Sequence, residues 1–422
     1  MKGLEFLFDP KKLIASSDSG NISNKITYIN KDGNIDSINI PSIIGIDAET
    51  TPSNLGEDAS KNASFAEEMK LHVNIKSNAL PKNRTNAFYT VGEYAQITTE
   101  ENLEETSVDA KDKLGNEIHV VTTLTGLALA AWKTNKADEI QVPLSIGLPI
   151  EEAKKTTDEK LQVYIGKHIV TAIDGPYKGQ TITIEITDVQ VNVEGVTSYL
   201  GLAYDLVNGE FKDTEFGSKI GAEFAIADLG AGTFDIGLYD EAGLNPHKST
   251  NYPIGTNLYI ERIMNDIVQM PAFERRVARA KRAGIEPKIT FTREEFMRKF
   301  IKPVIARVIE EPKYTPVYNV TWGPQTEDAT EIVVKHMKDY ADEIISKVDL
   351  FMAKTNVPQM VLVGGGLLFG YAFLKELQEE DCVFPPNLQE ASYFTSKSFL
   401  LRSIIELAKQ EQSKTKTKTK VK

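Results

Sequence analysis

Two short stretches of the sequence bring an aspartate to the end of an apolar run and then follow it with glycine. Asp18 does so in "IASSDSGNISNKITYI", and Asp228 does so in "FAIADLGAGTFDIGLY". Glycine lets backbone N–H groups approach phosphate oxygens without a clash from Cβ, and an aspartate at a strand end can hold the water shell of Mg²⁺. Lys25 could neutralise phosphate charge. The alternative for either stretch alone is an ordinary hairpin turn.

Two further features point to the same chemistry. Glu194 follows the alternating run "GQTITIEITDVQVNV" and precedes "GVTSYLG", so it is either a solvated turn residue or a catalytic group. The run "VLVGGGLLFG" places three glycines after a buried strand, a pattern that occurs in many nucleotide-binding folds. The order of all four features favours a nucleotide site over four unrelated turns.

If the four features form one site, strands must end at them and helices must cover those strands. Alternating or apolar runs predict strands at "KITYIN", "IDSINIPSIIGI", "IQVPLSIGLP" and "GQTITIEITDVQVNVEG". Helical patterns appear at "TTLTGLALAAWKT", "VTSYLGLAYDLV" and "EIVVKHMKDYADEIISKVDLFMAKT". Strands that alternate with helices predict a layered α/β fold. Because Asp18 and Asp228 lie half the chain apart, we expect two halves built on one plan.

The composition narrows the class of protein. A chain of 422 residues predicts two domains, and 41% hydrophobic with 26% charged residues is ordinary for a globular protein. A net charge of −12 argues against direct binding of nucleic acid or anionic membrane. The single cysteine, Cys382, excludes an internal disulfide and suits a reducing compartment. Neither a signal peptide nor a membrane span is indicated, so we expect a cytoplasmic protein.

The order of these motifs resembles that of the actin-like ATPase superfamily, which includes actin, Hsp70-type chaperones, sugar kinases and bacterial filament proteins. "DSGNISNK" resembles the first phosphate motif of the family, "DLGAGTFD" the second, and "VLVGGGLLFG" the adenosine motif. "VNVEGVTSYLGLAYD" resembles the first connecting motif. Within the superfamily the chain looks most like plasmid-segregating bacterial actins of the ParM type. Position 194 carries Glu rather than Gln, and the divergent polar segment 50–115 fits a small outer subdomain.

The resemblance implies an α/β actin-like fold of two related halves, each with a central mixed sheet flanked by helices, and a nucleotide cleft between them. Domain I would span residues 1–210, with an outer variable subdomain at roughly 35–115. Domain II would span residues 211–395, with an outer helical subdomain at roughly 270–340. Residues 396–422 would form a C-terminal helix and a basic disordered tail, because the sequence ends in "KTKTKTKVK".

The resemblance also implies roles for individual residues. Asp18 and Asp228 would hold hydrated Mg²⁺ from opposite sides, and Glu194 would position a water for in-line attack on the γ-phosphate. Lys25 would contact the β- or γ-phosphate, two backbone turns would cradle the phosphates, and the glycine run would let adenosine lie flat. The nucleotide-binding residues implied in this way are Ser19, Gly20, Asn21, Lys25, Gly230, Ala231, Gly232, Thr233, Gly364, Gly365, Gly366 and Leu367. Asp235 is expected to be a structural hairpin residue.

The function implied is that of a nucleotide-dependent, self-polymerising ATPase that uses ATP or GTP with Mg²⁺. Its filaments would segregate plasmid DNA through a centromere-binding adaptor protein, so the chain would contact itself and the adaptor, DNA only indirectly, and no membrane. Two alternatives of the same fold are a small-molecule kinase of the sugar type and a chaperone-like ATPase. We find no convincing extra aspartate base for a kinase, and the short segment after "FPPNLQEASYF" leaves no room for a chaperone's substrate domain.

Overall fold

The computed structural model of the chain describes residues 4–46, 67–98, 103–106, 113–157, 161–194, 197–311, 313–379 and 382–420. The chain divides into two compact units, one built from Met1–Lys219 and Tyr393–Lys422 and the other from Ile220–Ser392. Residues 47–66, which fall in the predicted outer variable subdomain, lie outside the described residues. Among the described helices, none combines the length and the apolar character needed to cross a membrane.

A mixed sheet, ten-stranded within the described residues, forms the core of the first unit. Its strands are β1 (Ala15–Ser19), β2 (Ser23–Ile29), β3 (Ile35–Pro41), β4 (Ile43–Ile46), β5 (Leu71–Lys76), β6 (Asn86–Val91), β7 (Leu103–Glu105), β8 (Glu139–Leu148), β9 (Gly166–Ala172) and β10 (Thr181–Val193). Their order is β3-β2-β1-β8-β10-β9-β5-β6-β4-β7. β1, β2 and β3 are antiparallel neighbours, whereas β8 runs parallel to both β1 and β10. The strands predicted in this half are confirmed.

Short helices and one long buried helix accompany this sheet. They are α1 (Glu93–Thr98), α2 (Glu117–Lys133), α3 (Ile150–Lys155) and α4 (Tyr199–Ala203). α2 confirms the helix predicted at "TTLTGLALAAWKT", and every side chain from Ile118 to Ala131 is buried. The side chain of Asn116 caps the helix by accepting a hydrogen bond from the Ile118 N–H at 2.9 Å. An apolar helix of this kind needs protein on all sides, which explains its central position.

The helix predicted at "VTSYLGLAYDLV" is wrong over its second half. After α4 the chain forms β11 (Tyr204–Val207), which pairs with β12 (Glu210–Asp213). Asn208 and Gly209 join these strands with φ angles of 53° and 74°. Two consecutive residues with positive φ make the tight hairpin turn that Asn-Gly sequences favour, so this local signal outweighs the helical pattern.

The second unit contains a five-stranded sheet within the described residues, in the order β15-β14-β13-β18-β19. The strands of this unit are β13 (Phe224–Leu229), β14 (Phe234–Asp240), β15 (Gly243–Tyr252), β16 (Asn319–Trp322), β17 (Gln325–Asp328), β18 (Met360–Val363) and β19 (Cys382–Val383). The helices are α5 (Thr256–Val268), α6 (Glu274–Arg282), α7 (Arg293–Phe296), α8 (Lys302–Glu310), α9 (Thr330–Thr355) and α10 (Gly365–Leu374). α9 confirms the long helix predicted there. β16 and β17 form a separate hairpin.

The two sheets share a plan. In the first unit three antiparallel strands, β3-β2-β1, continue into the parallel strands β8 and β10. In the second unit three antiparallel strands, β15-β14-β13, continue into the parallel strands β18 and β19. This repetition is the predicted α/β architecture of two related halves, each with a mixed sheet and helices.

The last helix, α11 (Phe394–Lys420), belongs to the first unit. Ser16 Oγ donates to the Ser396 carbonyl oxygen at 2.7 Å, and Thr27 Oγ1 donates to the Ser396 Oγ at 2.8 Å. Leu400 and Ile404 are fully buried on the same helix. The helix continues through Lys420 where we predict a disordered tail, because propagation from a packed segment costs little and lysine is a good helix former.

Candidate functional site

The first hairpin, formed by β1 and β2, carries Asp18 near the end of β1 and Lys25 directly opposite it on β2. Its turn closes at Gly20, whose N–H donates to the Ser23 carbonyl oxygen at 3.1 Å. A Cβ on Gly20 would lie 2.9 Å from that oxygen, so glycine is required for this turn. Lys25 Nζ lies 3.5 Å from Asp18 Oδ2, which gives this buried carboxylate a cation.

The second hairpin, formed by β13 and β14, repeats this backbone. Asp228 lies opposite Asp235, and the Gly230 N–H donates to the Thr233 carbonyl oxygen at 2.8 Å. A Cβ on Gly230 would lie 2.8 Å from the same oxygen. Both hairpins therefore place an aspartate, a glycine and the accepting carbonyl at the same spacing. The residue that faces the aspartate is different, a lysine in the first hairpin and a second aspartate in the second.

Polar contacts fix the first hairpin to α2. The Asn24 side-chain amide donates to two threonine hydroxyls of α2 at 3.0 and 3.1 Å, and Ser17 Oγ donates to Asn24 Oδ1 at 2.9 Å. Ser42 Oγ donates to the Gly20 carbonyl oxygen at 2.7 Å. Buried polar groups that satisfy one another in this way specify one arrangement, so the turn is held in a defined position.

Ser19 and Asn21 flank the glycine of this turn. Ser19 Oγ lies 3.2 Å from Ser17 Oγ. Asn21 Oδ1 is buried and has no hydrogen-bond partner among the residues that the structure describes. A buried amide oxygen without a partner is costly, and it leaves an acceptor suited to a metal-bound water.

Hydrogen bonds also fix the turn of the second hairpin. Thr233 Oγ1 donates to Asp235 Oδ2 at 2.8 Å, and Asn251 Nδ2 donates to Asp235 Oδ1 at 2.6 Å. The Asn257 N–H, in the first turn of α5, donates to the Ala231 carbonyl oxygen at 2.9 Å. The role predicted for Asp235, a structural residue of the hairpin, is consistent with these two bonds.

The glycine run lies beside Asp228 in the second unit. Gly364 follows the end of β18 with a φ of 94°, and a Cβ there would overlap the Asp228 Oδ1. Gly366 is equally constrained, because its Cβ would overlap the Tyr340 hydroxyl. Gly365 is exposed, with nothing within 4 Å of the position of its missing Cβ. Two of the three glycines are therefore required by packing, whereas Gly365 presents open backbone.

Tyr340 and Leu367 complete the surroundings of this run. The Tyr340 hydroxyl is buried with no hydrogen-bond partner in the described part of the chain. Burial raises the pKa of Tyr340, and the charges of Tyr259 and Asp228 raise it further. Leu367 is fully buried, so the contact with nucleotide predicted for this residue stays a prediction.

Glu194, after the end of β10, pairs with a residue that sequence reasoning missed. Its N–H donates to the Leu148 carbonyl oxygen at 2.9 Å, and its Oε1 lies 2.6 Å from Lys113 Nζ. Burial alone would lower the pKa of Lys113, but the carboxylates of Glu194 and Asp18 outweigh burial and raise it. Lys113 is therefore protonated at neutral pH. Nothing in the polar stretch "KDKLGN" distinguishes it from a surface lysine.

The structure thus groups the predicted residues by unit. In the first unit the Lys113 ammonium group pairs with Glu194, and the charge of Asp18, near the turn of the first hairpin, also raises the pKa of Lys113. In the second unit Asp228 lies between the turn of the second hairpin and Gly364. Both groups fit a phosphate and a hydrated Mg²⁺, because each offers a carboxylate next to backbone that carries no Cβ.

Comparison with known proteins agrees with this arrangement. A family described as actin like proteins N terminal domain matches residues 17–196. The structure of Bacillus thuringiensis ParM with ATP is 35% identical, with a TM-score of 0.74, and the match covers 94% of this chain and 99% of that one. Its form with AMPPNP gives the same identity and coverage with a TM-score of 0.73.

A more distant match has the same fold. A 15-stranded ParM filament from Clostridium botulinum matches at 17% identity and a TM-score of 0.62, over 95% of this chain and 99% of that one. No curated protein matches in a sequence search. The two sheets share one plan, the family model matches, and the chain is 35% identical to Bacillus thuringiensis ParM over 94% of its length. The chain therefore belongs to the actin-like ATPase superfamily, as a member of its ParM type.

Proposed function

We propose that the chain is a Mg²⁺-dependent nucleotide hydrolase that polymerises into filaments. The observation that carries this proposal is the repeated hairpin, in which each unit places a glycine two residues after an aspartate and closes the turn with the same hydrogen bond. Backbone of this kind can bind phosphate oxygens. Further support comes from Bacillus thuringiensis ParM, which has been solved with ATP, with ADP and with AMPPNP.

Each unit would contribute its own contacts. In the first unit, Lys25 and the backbone of residues 19–21 would bind phosphate oxygens, and Asp18 would accept hydrogen bonds from metal-bound water. In the second unit, the backbone of residues 230–233 and Asp228 would do the same, with exposed Gly365 next to the base. Bound Mg²⁺ would neutralise charge that develops on the transferred phosphoryl group.

Glu194 would align the water that attacks the γ-phosphate. A carboxylate accepts hydrogen bonds from water, and alignment of the attacking group accounts for much of the rate gain in phosphoryl transfer. Such an interaction acts mainly on the transition state, so its loss lowers kcat and leaves nucleotide affinity nearly unchanged.

The cellular role that we propose is segregation of plasmid DNA by these filaments through an adaptor protein. A ParM of the same fold forms a 15-stranded filament, which supports self-assembly. The net charge of −12 disfavours direct contact with DNA, and it therefore supports a bridging adaptor. ATP is the proposed nucleotide, and GTP is the alternative that the experiment must compare.

Light scattering and phosphate release, recorded on one sample with Mg²⁺ and either ATP or GTP, test the proposal. Scattering should rise above a critical concentration, phosphate should follow, and EDTA should abolish both. Glu194→Gln should still assemble, but it should release phosphate roughly a hundredfold more slowly, and its filaments should outlast those of the wild type. Electron microscopy separates filaments from aggregates. Nucleotide binding with flat scattering at every concentration would contradict assembly and favour a kinase.

A further inference from the structure

The ion pair between Glu194 and Lys113 is unusual because both partners are largely buried. The exposed fractions of the two side chains are 14% and 12%, and the charged atoms lie 2.6 Å apart. Removing two charges from water is costly, and a buried pair is often no better for stability than apolar residues of similar size. A role beyond stability is therefore the simpler explanation for this pair.

Contacts with other described residues orient Glu194. Its backbone N–H is bound to Leu148, and its stem passes Gly147, where a Cβ would lie 3.0 Å from the Glu194 Cγ. Its carboxylate is held by Lys113, whose own N–H donates to Glu152 Oε1 at 2.9 Å. The lysine is thus anchored at its backbone while its ammonium group reaches the glutamate.

We propose that Lys113 is a positioning residue for hydrolysis, which keeps the Glu194 carboxylate ionised and in one orientation. This inference rests on the proposed function, because Lys113 would act only through Glu194. An ionised carboxylate is purely an acceptor, which is the form that aligns a water. An ammonium group within hydrogen-bond distance favours that form over the protonated one.

Other charged groups act on the pair or contact residues next to it, and they must be considered in any pH dependence. They are Asp18 on β1, Lys25 on β2, His119 on α2, Glu152 on α3 and Arg402 on α11, which donates to Asn192 of β10. Burial, and then the charge of Lys113, lower the pKa of His119 to about 3. The imidazole of His119 therefore stays neutral over the pH range of an assay. Changes in the rate of hydrolysis over that range come from the carboxylates.

Phosphate release and nucleotide affinity, measured from pH 5 to 9, test the role of Lys113. Lys113→Met should lower kcat by roughly tenfold and leave nucleotide affinity within about threefold. The acid limb of its pH profile should move to higher pH, because a carboxylate that has lost its cation binds a proton more readily. Lys113→Arg, which keeps the charge, should restore most of the rate and the original limb.

The double variant Lys113→Met/Glu194→Gln decides whether Lys113 acts through Glu194. It should be no slower than Glu194→Gln alone, because residues that act as a unit are not additive. A matched control is Lys133→Met, which breaks the more exposed pair of Lys133, at the end of α2, with Glu68 at 3.1 Å and should leave kcat and the pH profile unchanged. If Lys113→Met does not fold, Lys113→Gln replaces it with the same expected effects.

The outcomes separate the two proposals. A wild-type chain that releases no phosphate would reject the proposed function and this inference with it. Normal hydrolysis by the wild type, together with a Lys113→Met variant of unchanged rate and pH profile, would overturn the inference alone. An additional loss of rate from Lys113→Met in the Glu194→Gln background would also overturn it, because the lysine would then act independently of the glutamate.

Discussion

The first and second hairpins share a backbone and differ in charge. Each has an aspartate followed two residues later by the glycine that closes the turn. In the first, the residue across the strands is Lys25, 3.5 Å from the carboxylate of Asp18. In the second, Asp235 faces Asp228. The spacing of glycine therefore sets the turn, whereas the facing residue sets the electrostatics: the first hairpin pairs its carboxylate with a cation, and the second places a second carboxylate opposite the first.

The strand beside each hairpin shows a second difference. β8, parallel to β1, ends at Leu148 and leads through Pro149 into α3. β18, parallel to β13, ends at Val363 and leads through Gly364 into α10. Only the second arrangement brings backbone without a side chain against the hairpin's aspartate, since a Cβ on Gly364 would overlap Asp228.

The largest expected effect tests this glycine. Gly364→Ala should lower the free energy of unfolding by about 3 kcal/mol or more, because a φ of 94° disfavours any side chain and the new Cβ would also meet backbone of Leu229. Urea denaturation measures the change. Gly365→Ala is the matched control, with open space around its Cβ, and should stay within about 0.5 kcal/mol of wild type. Equal losses in both variants would show that the close approach to Asp228 is unimportant.

The next largest effect concerns a buried histidine of the first unit, which differs from a histidine of the second unit in its hydrogen bonding. Both ring nitrogens of His119, in the first unit, lack hydrogen-bond partners among the described residues. In the second unit His336 Nε2 lies 2.8 Å from Asp266 Oδ2. Burial, and then the charge of Lys113, lower the pKa of His119 to about 3. The unfolded chain, with a histidine pKa of about 6.5, therefore binds a proton below that pH that the folded chain does not.

It follows that neutral His119 makes its full contribution to the free energy of unfolding above about pH 6.5. This contribution is lost as the pH falls toward 3. Relative to His119→Phe, the wild type should lose about 2 kcal/mol between pH 7 and pH 5, measured by urea denaturation at both pH values. His247→Phe, which replaces an exposed imidazole of the second unit, should keep the wild-type slope. A His119→Phe variant with that same slope would mean that the imidazole is hydrated or paired in solution.

Much of this fold could be predicted from the sequence, because alternation and apolar runs are local signals. The strands that lead to Asp18, Glu194 and Asp228 were indicated by such runs, as was the helix α9. The Asn208–Gly209 hairpin was also locally encoded, but a continuous helical pattern obscured it.

The partner of Glu194 could not be predicted in the same way. Lys113 lies 81 positions from it in the sequence, and no periodic pattern records a contact over that separation. The difference between the two hairpins has the same character. Lys25 and Asp235 occupy equivalent positions, but only pairing across the strands shows that each faces an aspartate.

A third prediction concerns the cation of the first hairpin. Lys25→Met should weaken nucleotide binding by roughly tenfold to a hundredfold, the range expected when a hydrogen bond to a charged group is lost. Fluorescent-nucleotide titration in saturating Mg²⁺ measures the change, and Lys25→Arg should recover part of the affinity. Unchanged affinity in Lys25→Met would reduce this lysine to a counter-ion for Asp18 and would remove its proposed contact with phosphate.

The smallest expected effect concerns Asp235, whose position in the first hairpin is occupied by Lys25. If the acid pair favours a bound cation, Asp235→Asn should raise the Mg²⁺ concentration for half-maximal nucleotide binding by roughly three- to fivefold, about 1 kcal/mol or less. Affinity in saturating Mg²⁺ should barely change. Asparagine is close in shape and keeps an oxygen acceptor for Thr233, so the hairpin itself should remain folded.

The control for this variant is Asp240→Asn at the far end of β14, where Asp240 Oδ2 accepts from Asn245 at 3.0 Å. It removes the same charge from the same strand and should leave the Mg²⁺ requirement unchanged. Matching curves for the wild type and Asp235→Asn would show that Asp235 only accepts hydrogen bonds from its neighbours. The contrast between the hairpins would then depend on Lys25 alone. A shift confined to Asp235→Asn would instead show that the second hairpin uses its facing acid to bind a cation, whereas we propose that the first uses its facing lysine to bind phosphate.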